Sequence, residues 1–271
     1  MHICLPYSVV TSVSATLGAP RPERPYEGLL QVTTEISPMA GVEYDAGGVA
    51  GASEARERET LFDRLVERAV RHTEAVDREA LCLIAGKVVW CVNLTLHLLA
   101  DEGAALDAAV FASIAALRHY RRPDVSIEGG HVTVHSTNER VPVPLACHHS
   151  PLAVTYAVFN VQPQTESQRS MLWAHGRSAN MEVEGAIPDI YVPVALLDPS
   201  LIEHTLAETS ITFVLNAQKE VCVLDKAGGI SLPYQTILEL MNDAALRVAD
   251  LSRLLDSVLA ADAEKRVVSV L

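Results

Sequence analysis

The residues GAALDAAVFASIAALRHY, Gly103 to Tyr120, set the strongest constraint on what this chain can become. They predict a helix with alanine, leucine, valine, isoleucine or phenylalanine on every side, and only Asp107 and Ser113 are polar before Arg118. A helix apolar all round is stable only inside a protein, so other elements must enclose it. Pro123 stops it from running further.

The flanks supply strands. Val9 to Gly18 (VVTSVSATLG) and the LLQVTTEIS run from Leu29 alternate loosely between apolar and polar residues, with the loop APRPERPYEG between them. The stretch GVEYDAGGVAGASEARE has neither periodicity nor bulk and is expected to be a loop, with Ser53 as N-cap of a helix from about Glu54 to His72. Leu61, Phe62, Leu65, Val66 and Ala69 recur on that helix at 3.6-residue spacing and form its packing side, while Arg64, Arg68 and Arg71 share the other. ALCLIAGKVVWCVNLTLHLLADEG predicts a hairpin turning at Gly86-Lys87, with Trp90 in the core, and VSIEGGHVTVHS predicts a second at Glu128-Gly129-Gly130.

After RVPVPLACHHSP an apolar strand from Leu152 to Phe159 opens a second unit, and the polar, aperiodic residues 161–188 form an exposed insertion in it. DIYVPVALLDP, a strand pair ITFVLNAQKEVCVLD, a Gly228-Gly229 turn and an amphipathic helix from about Pro233 to Ala260 follow, the helix carrying Ile237, Leu238, Met241, Ala245, Val248, Leu251, Leu255 and Val258 on one side. The order predicts an α+β protein with two β-sheets, each covered by helices, divided at residues 1–145 and 146–271.

Composition limits the function classes. With 271 residues, 49% of them apolar, the chain can build a core without covalent staples. Cys4, Cys82, Cys91, Cys147 and Cys222 lie scattered, mostly in apolar runs with no Cys-x-x-Cys, which points to buried thiols of an intracellular protein. The start lacks a basic leader, and no apolar run approaches the roughly 18 residues of a spanning helix, so a soluble protein is expected. A net charge of −13 argues against a free-standing nucleic-acid binder, because neutralising phosphates takes clustered Lys and Arg. Any RNA contact has to be local or shared with a partner. His148 and His149, adjacent on a strand, face opposite ways and have no Cys or His at metal-ligand spacing. Neither metal nor cofactor is expected, and Cys147 and Ser150 beside them give no sign of a nucleophile.

Longer blocks carry a resemblance. EISPMA (35–40), DREALCLIAGKVVWCVNLTLHLL (77–99), IAALRHYRRPDVSIEG (114–129), VPVPLACHHSPLAVTYAVF (141–159) and AGGI (227–230), in that order, resemble the RNase PH-like ring subunits of the eukaryotic RNA exosome. The likeness spans nearly all of the chain except residues 41–53 and 161–188. It implies an RNase PH-like fold (ribosomal protein S5 domain 2-like), one such domain in each unit. Members normally open with further strands containing an Asp-Gly-Arg segment, so this chain is expected to start within the first domain, as a fragment, from a misassigned start codon or by a true shortening; a true shortening would leave a sheet edge for a neighbour to cover.

In phosphorolytic members the turn resembling DEGAALDAA (101–109) reads Asp-Gly-Gly-Thr-Arg-Thr-Ala-Ala and holds inorganic phosphate at the N-terminus of the following helix. Aligned on the final Ala-Ala, Leu106 stands where the arginine should be and Asp107 follows it. An apolar side chain cannot bind phosphate, and a carboxylate repels it. The acidic cluster that supplies the general acid corresponds to LLDPSLIEHTLAETSITF, with Asp198 as its first acid and Glu208 as its second. Asp198-Pro199-Ser200 also reads as a helix N-cap, and that reading is preferred. The expectation is a non-catalytic structural subunit, with an active phosphate-dependent 3′-to-5′ exoribonuclease as the alternative.

Arg64, Arg68 and Arg71 lie where related enzymes carry arginines that approach RNA, and Arg58 with Arg64 repeats an Arg-x5-Arg spacing found there. Such residues would touch phosphates without regard to sequence; the alternative is a solvated face paired with Glu67 and Glu74. Arg121 and Arg122 face RNA or a subunit, or else act as cations at a helix C-terminus. The partners implied are other RNase PH-like subunits closing a six-membered ring, S1 or KH cap proteins, a hydrolytic 3′-to-5′ nuclease and single-stranded RNA, in nucleus, nucleolus and cytoplasm.

Overall fold

The computed structural model describes residues 2–4, 8–41, 44, 51–136, 139–161 and 192–266. Its first sheet holds β1 (His2–Cys4), β2 (Ser8–Gly18), β3 (Leu29–Ile36), β4 (Cys82–Ile84) and β5 (Val88–Ala100), ordered β1-β2-β5-β3 with β4 also on β5. Along β5, Val92, Leu94, Leu96 and Leu98 are fully buried while Asn93, Thr95 and His97 between them are half-exposed, the period-2 pattern of a strand with one face on a core. The expected hairpin is present, with Gly86 at φ +73°, but its first arm is only three residues long. The long partners of β5 are β2, antiparallel, and β3, parallel, both far earlier in the chain. So apolar a strand belongs in the middle of a sheet, where both edges are paired.

Helix α1 (Gly51–Glu67) begins ahead of the expected Ser53 cap and passes into one wide turn, Arg68–His72, with π-type bonding. It lies against β3, whose Thr34 and Ile36 N–H groups donate to the Asp63 and Glu59 carboxylates at 3.1 and 3.5 Å. Leu61 lies on the far side of the helix from those two residues and is 59% exposed, against the expected packing side. The wide turn buries both Ala69 and Val70, one in each of two cores.

Helix α2 (Ala105–His119) is the enclosed helix. Ala105, Ala109, Ala112 and Leu117 join the core under the first sheet, and Val110, Ile114 and Ala115 join a second core. It ends at Tyr120, whose extended backbone leads to β6 (Arg121–Arg122), β7 (Val125–Glu128), β8 (His131–Val134) and β9 (Val143–Pro144). β7 and β8 form the second expected hairpin, on Gly129 and Gly130 at φ +57° and +83°.

The second sheet is antiparallel in the order β11 (Val192–Leu197), β10 (Leu152–Val161), β12 (Thr209–Leu215), β13 (Val221–Ala227), with α3 (Leu201–Leu206) between β11 and β12 and α4 (Tyr234–Lys265) last. On β10 Thr155 bonds to Asp107 of α2 and Tyr156 to Asp243 of α4, so the two helices cover opposite faces of this sheet. The layers are therefore sheet, α1 with α2, sheet, α4. The expectation that helices cover both sheets holds for the second on both faces and for the first on one; on its other face Ser12, Ser14, Gln31 and Thr33 are exposed. Among the described residues β2 pairs on its outer side only with β1, at Ser8–Val10, and the Tyr120 phenol oxygen accepts the Ala15 N–H further along. No helix among the described residues is long and apolar enough to cross a membrane. The expected insertion at 161–188 lies outside the described residues beyond Val161.

Candidate functional site

β5 runs out into the turn Asp101–Ala104, which leads into α2. One Asp101 carboxylate oxygen accepts the Gly103 N–H at 2.9 Å and the other the Tyr44 hydroxyl at 2.6 Å. Burial and that carboxylate together push the Tyr44 hydroxyl well above its ordinary pKa, so it acts as a fixed donor. Gly103 has φ +128°, and a Cβ there would lie 2.2 Å from the Pro199 carbonyl oxygen and 2.6 Å from the Ser200 carbonyl carbon. The turn is pressed onto the backbone between β11 and α3, which brings together the two segments singled out from the sequence.

Leu106 is half-buried and packs against both cores. Asp107, in the first turn of α2, reaches β10: one oxygen accepts the Thr155 N–H and the other its hydroxyl, both at 2.7 Å, and the Thr155 and Thr212 hydroxyls are 2.9 Å apart. Those bonds favour the charged carboxylate, yet burial outweighs them and the Asp198 charge adds to it, so the Asp107 pKa is pushed up to about 7. The Thr155 carbonyl accepts the Asp198 N–H at 3.4 Å. One residue of β10 thus holds both segments.

The cap of α3 is Ser200, not Asp198. Its side chain accepts the Glu203 N–H at 3.5 Å while its own N–H donates to Glu203 at 2.8 Å, the reciprocal capping box, which keeps the Glu203 carboxyl below the usual range. Asp198 is exposed in a left-handed bend at φ +52°. Glu208 is exposed just ahead of β12, its N–H donating to the Val158 carbonyl at 3.1 Å and its own carbonyl against Gly229. Asp101, Asp107 and Glu203 are all hydrogen-bonded to neutral groups, and among the described residues no cation is bonded to these three. Phosphate would meet no paired positive charge there.

The expected arginines do not form one surface. Arg64 is exposed, with no ion pair to a described residue; Arg68 bonds to Asp225 of β13 at 3.1 Å; Arg71 turns back to Glu67. The expected pairing with Glu67 is therefore present, whereas Glu74 pairs with Arg78 at 3.2 Å. Arg58 lies on α1, its side chain outside the described set. Arg71 also borders a cavity of about 390 Å³ with Arg21, Arg24, His72 and Arg78, which carry no periodic signal in the sequence, and with Glu23, Glu27 and Glu74. Arg24 and Arg78 there share Glu27 at 3.1 and 3.2 Å. Arg121 donates to the carbonyls of Arg118, Tyr120 and His119 at 2.8, 3.0 and 3.3 Å, a cation at the C-terminus of α2, and Arg122 donates to Ala80 at 3.4 Å. His148 and His149 do face different ways, toward Asp77 and Cys222, each at 3.9 Å.

Residues 7–123 match the 3′ exoribonuclease family, domain 1, and residues 193–245 match its domain 2. The chain belongs to this RNase PH family. Among curated relatives, the protein named exosome complex component RRP45 of Saccharomyces cerevisiae is 33% identical over 94% of this chain and 76% of its own length. The protein of the same name in Homo sapiens is 32% identical over 95% of this chain and 51% of its own, so the chain spans about half of that relative. The fold is shared with a subunit of the Archaeoglobus fulgidus exosome with RNA bound to the active site, at TM-score 0.62 and 24% identity over 90% of this chain and 78% of that one. An archaeal exosome core chain gives TM-score 0.58 at 24% identity, over 93% and 76%.

Proposed function

We propose that this chain is a non-catalytic structural subunit of an RNA exosome ring, supporting 3′-to-5′ RNA processing and decay by holding the ring and helping to guide RNA through its channel. The observation that carries this reading is the turn into α2: Leu106 packs into the two cores where phosphorolytic relatives present an arginine, and the Asp107 carboxylate already takes the Thr155 donors. The Thr155 donors are thus taken by the chain's own carboxyl group, and Leu106 offers a free phosphate no cation. Likeness to relatives named exosome complex component RRP45 supports the ring assignment.

In this reading a first RNase PH-like domain covers residues 1–145 and a second 146–271. The partners are other RNase PH-like subunits in a six-membered ring, S1 or KH cap proteins, a hydrolytic 3′-to-5′ nuclease and single-stranded RNA, in nucleus, nucleolus and cytoplasm. Subunits joined head to tail close a ring, and they supply the positive charge that a −13 chain lacks. Arg64 is the best-placed RNA contact, being exposed with no ion pair to a described residue; Arg58, Arg68, Arg71, Arg121 and Arg122 are secondary. The purified chain, given RNA, inorganic phosphate and Mg²⁺, is expected to release no nucleoside diphosphates above a mock-purified control. Phosphate-dependent release lost on changing Asp198 and Glu208 to Ala would establish the active enzyme instead.

A further inference from the structure

We propose that the cavity between the C-terminal ends of α2 and α4 is a docking site for an acidic segment of a protein partner, whose carboxylate pairs with Arg121 and Arg266. The cavity is about 210 Å³ in volume. The side of α4 that packs on the second sheet through Ala244, Val248 and Leu255 continues at the same spacing into Leu259, Asp262 and Arg266. Apolar residues give way to charged ones there, and this last part of the helix faces Arg118 and Arg121 at the end of α2 instead of a core.

The charges around it do not cancel. Arg118 pairs with Asp256 at 2.7 Å and Arg266 with Asp262 at 3.0 Å. Arg266 also donates to the His119 ring nitrogen, and burial followed by the Arg266 charge holds the His119 pKa below its ordinary value, so that ring is a neutral acceptor. Arg121 spends one nitrogen on the Arg118, His119 and Tyr120 carbonyls, and among the described residues it is in no ion pair. Three guanidinium groups therefore face two carboxylates, and Arg121 is left over. Helix ends carry only partial charge that falls off within a turn, and Lys265 offsets that of α4. The cavity beside Arg71 differs: its four arginines meet Glu23, Glu27 and Glu74, with Glu67 on Arg71, so its charges balance.

The lining favours a protein carboxylate over RNA. No Phe, Tyr or Trp lines the cavity among the described residues, and the His119 ring is held by Arg266, so no platform is open for a base to stack on. Val141 is 56% exposed and forms an apolar rim with Pro142 and Leu259, which an apolar residue beside the partner's acid would cover. A guanidinium fork matches a single carboxylate, whereas Asp262 interrupts the positive track that a row of phosphates needs. The cavity also lies at the far end of the 15-residue α2 from the Leu106 turn, about 20 Å away. Of the two roles open to Arg121, contact with a neighbouring protein is the one these residues favour, whether or not the chain has chemistry of its own.

The test titrates the full chain, with ¹⁵N-labelled arginine side chains, with a poly-glutamate peptide carrying one central leucine and, in parallel, with oligouridine of equal charge. A chain of net charge −13 repels an acidic probe elsewhere, so binding reports on a local positive site. The peptide is expected to shift the Arg121 and Arg266 Nε resonances saturably and to leave those of Arg24 and Arg78 in place. Arg121→Gln should weaken the peptide roughly three- to fivefold. Val141→Asp puts a like charge on the exposed rim and should weaken it as well, a readout that holds if the Gln variant fails to fold. Unmoved Arg121 and Arg266 resonances, parental affinity in both variants, or tighter binding of oligouridine at the same two arginines would each overturn the assignment, the last by making the cavity an RNA contact.

Discussion

Gly103 and Leu106 stand three residues apart in one turn and constrain it in different ways. Gly103 combines φ +128° with the approach of the Pro199–Leu201 backbone, so any side chain meets both strain and fixed atoms. Gly103→Ala should lower the unfolding free energy by about 2–4 kcal/mol in urea titration; a loss under about 0.5 kcal/mol would mean the two segments are not in contact. Leu106 is only half-buried but touches both cores, and Leu106→Ala should cost about 1–3 kcal/mol. Ser200→Ala removes one half of the capping box and should cost about 1 kcal/mol in the same titration.

Among the elements, the β3 edge shows how the sheet is terminated. Carboxylates of α1 take the N–H groups of Thr34 and Ile36 where another strand would pair, and charge at an edge discourages such pairing. Asp63→Ala should destabilise by about 1 kcal/mol and increase aggregation seen by light scattering at equal folded fraction. Elements defined by local pattern were legible in the sequence: the buried α2, the Gly129–Gly130 hairpin and the β12–β13 pair all depend on neighbouring residues. The parallel pairing of β3 with β5 was not, because the partners are distant and period 2 says nothing of direction. Leu61 was misassigned because apolar spacing does not show that the side of α1 facing β3 is occupied by Glu59 and Asp63. In the site, an apolar Leu106 followed by Asp107 at the entry to α2 was visible in one dimension. The role of Asp107 was not, since Thr155 lies 48 residues away and no pattern links them.

At the scale of the molecule, α2 serves two cores at once, as the wide turn holding Ala69 and Val70 also does, so the two cores are coupled through these elements. Positive charge is local on a chain of net charge −13 and is largely spent on ion pairs and helix ends, as Arg68 and Arg121 show. In the assembled complex, Arg64→Ala should reduce crosslinking to threaded RNA more than Arg68→Ala, because among the described residues Arg68, not Arg64, is ion-paired to another element; equal loss or none would place the RNA path elsewhere. The central claim, a ring subunit without its own chemistry, is tested most directly by tagging the chain in its native cell, purifying it at low salt and measuring the intact mass and subunit composition of the complex. The account predicts a multi-subunit ring containing other RNase PH-like chains. A homo-oligomer of this chain alone that releases nucleoside diphosphates from RNA with phosphate would contradict it.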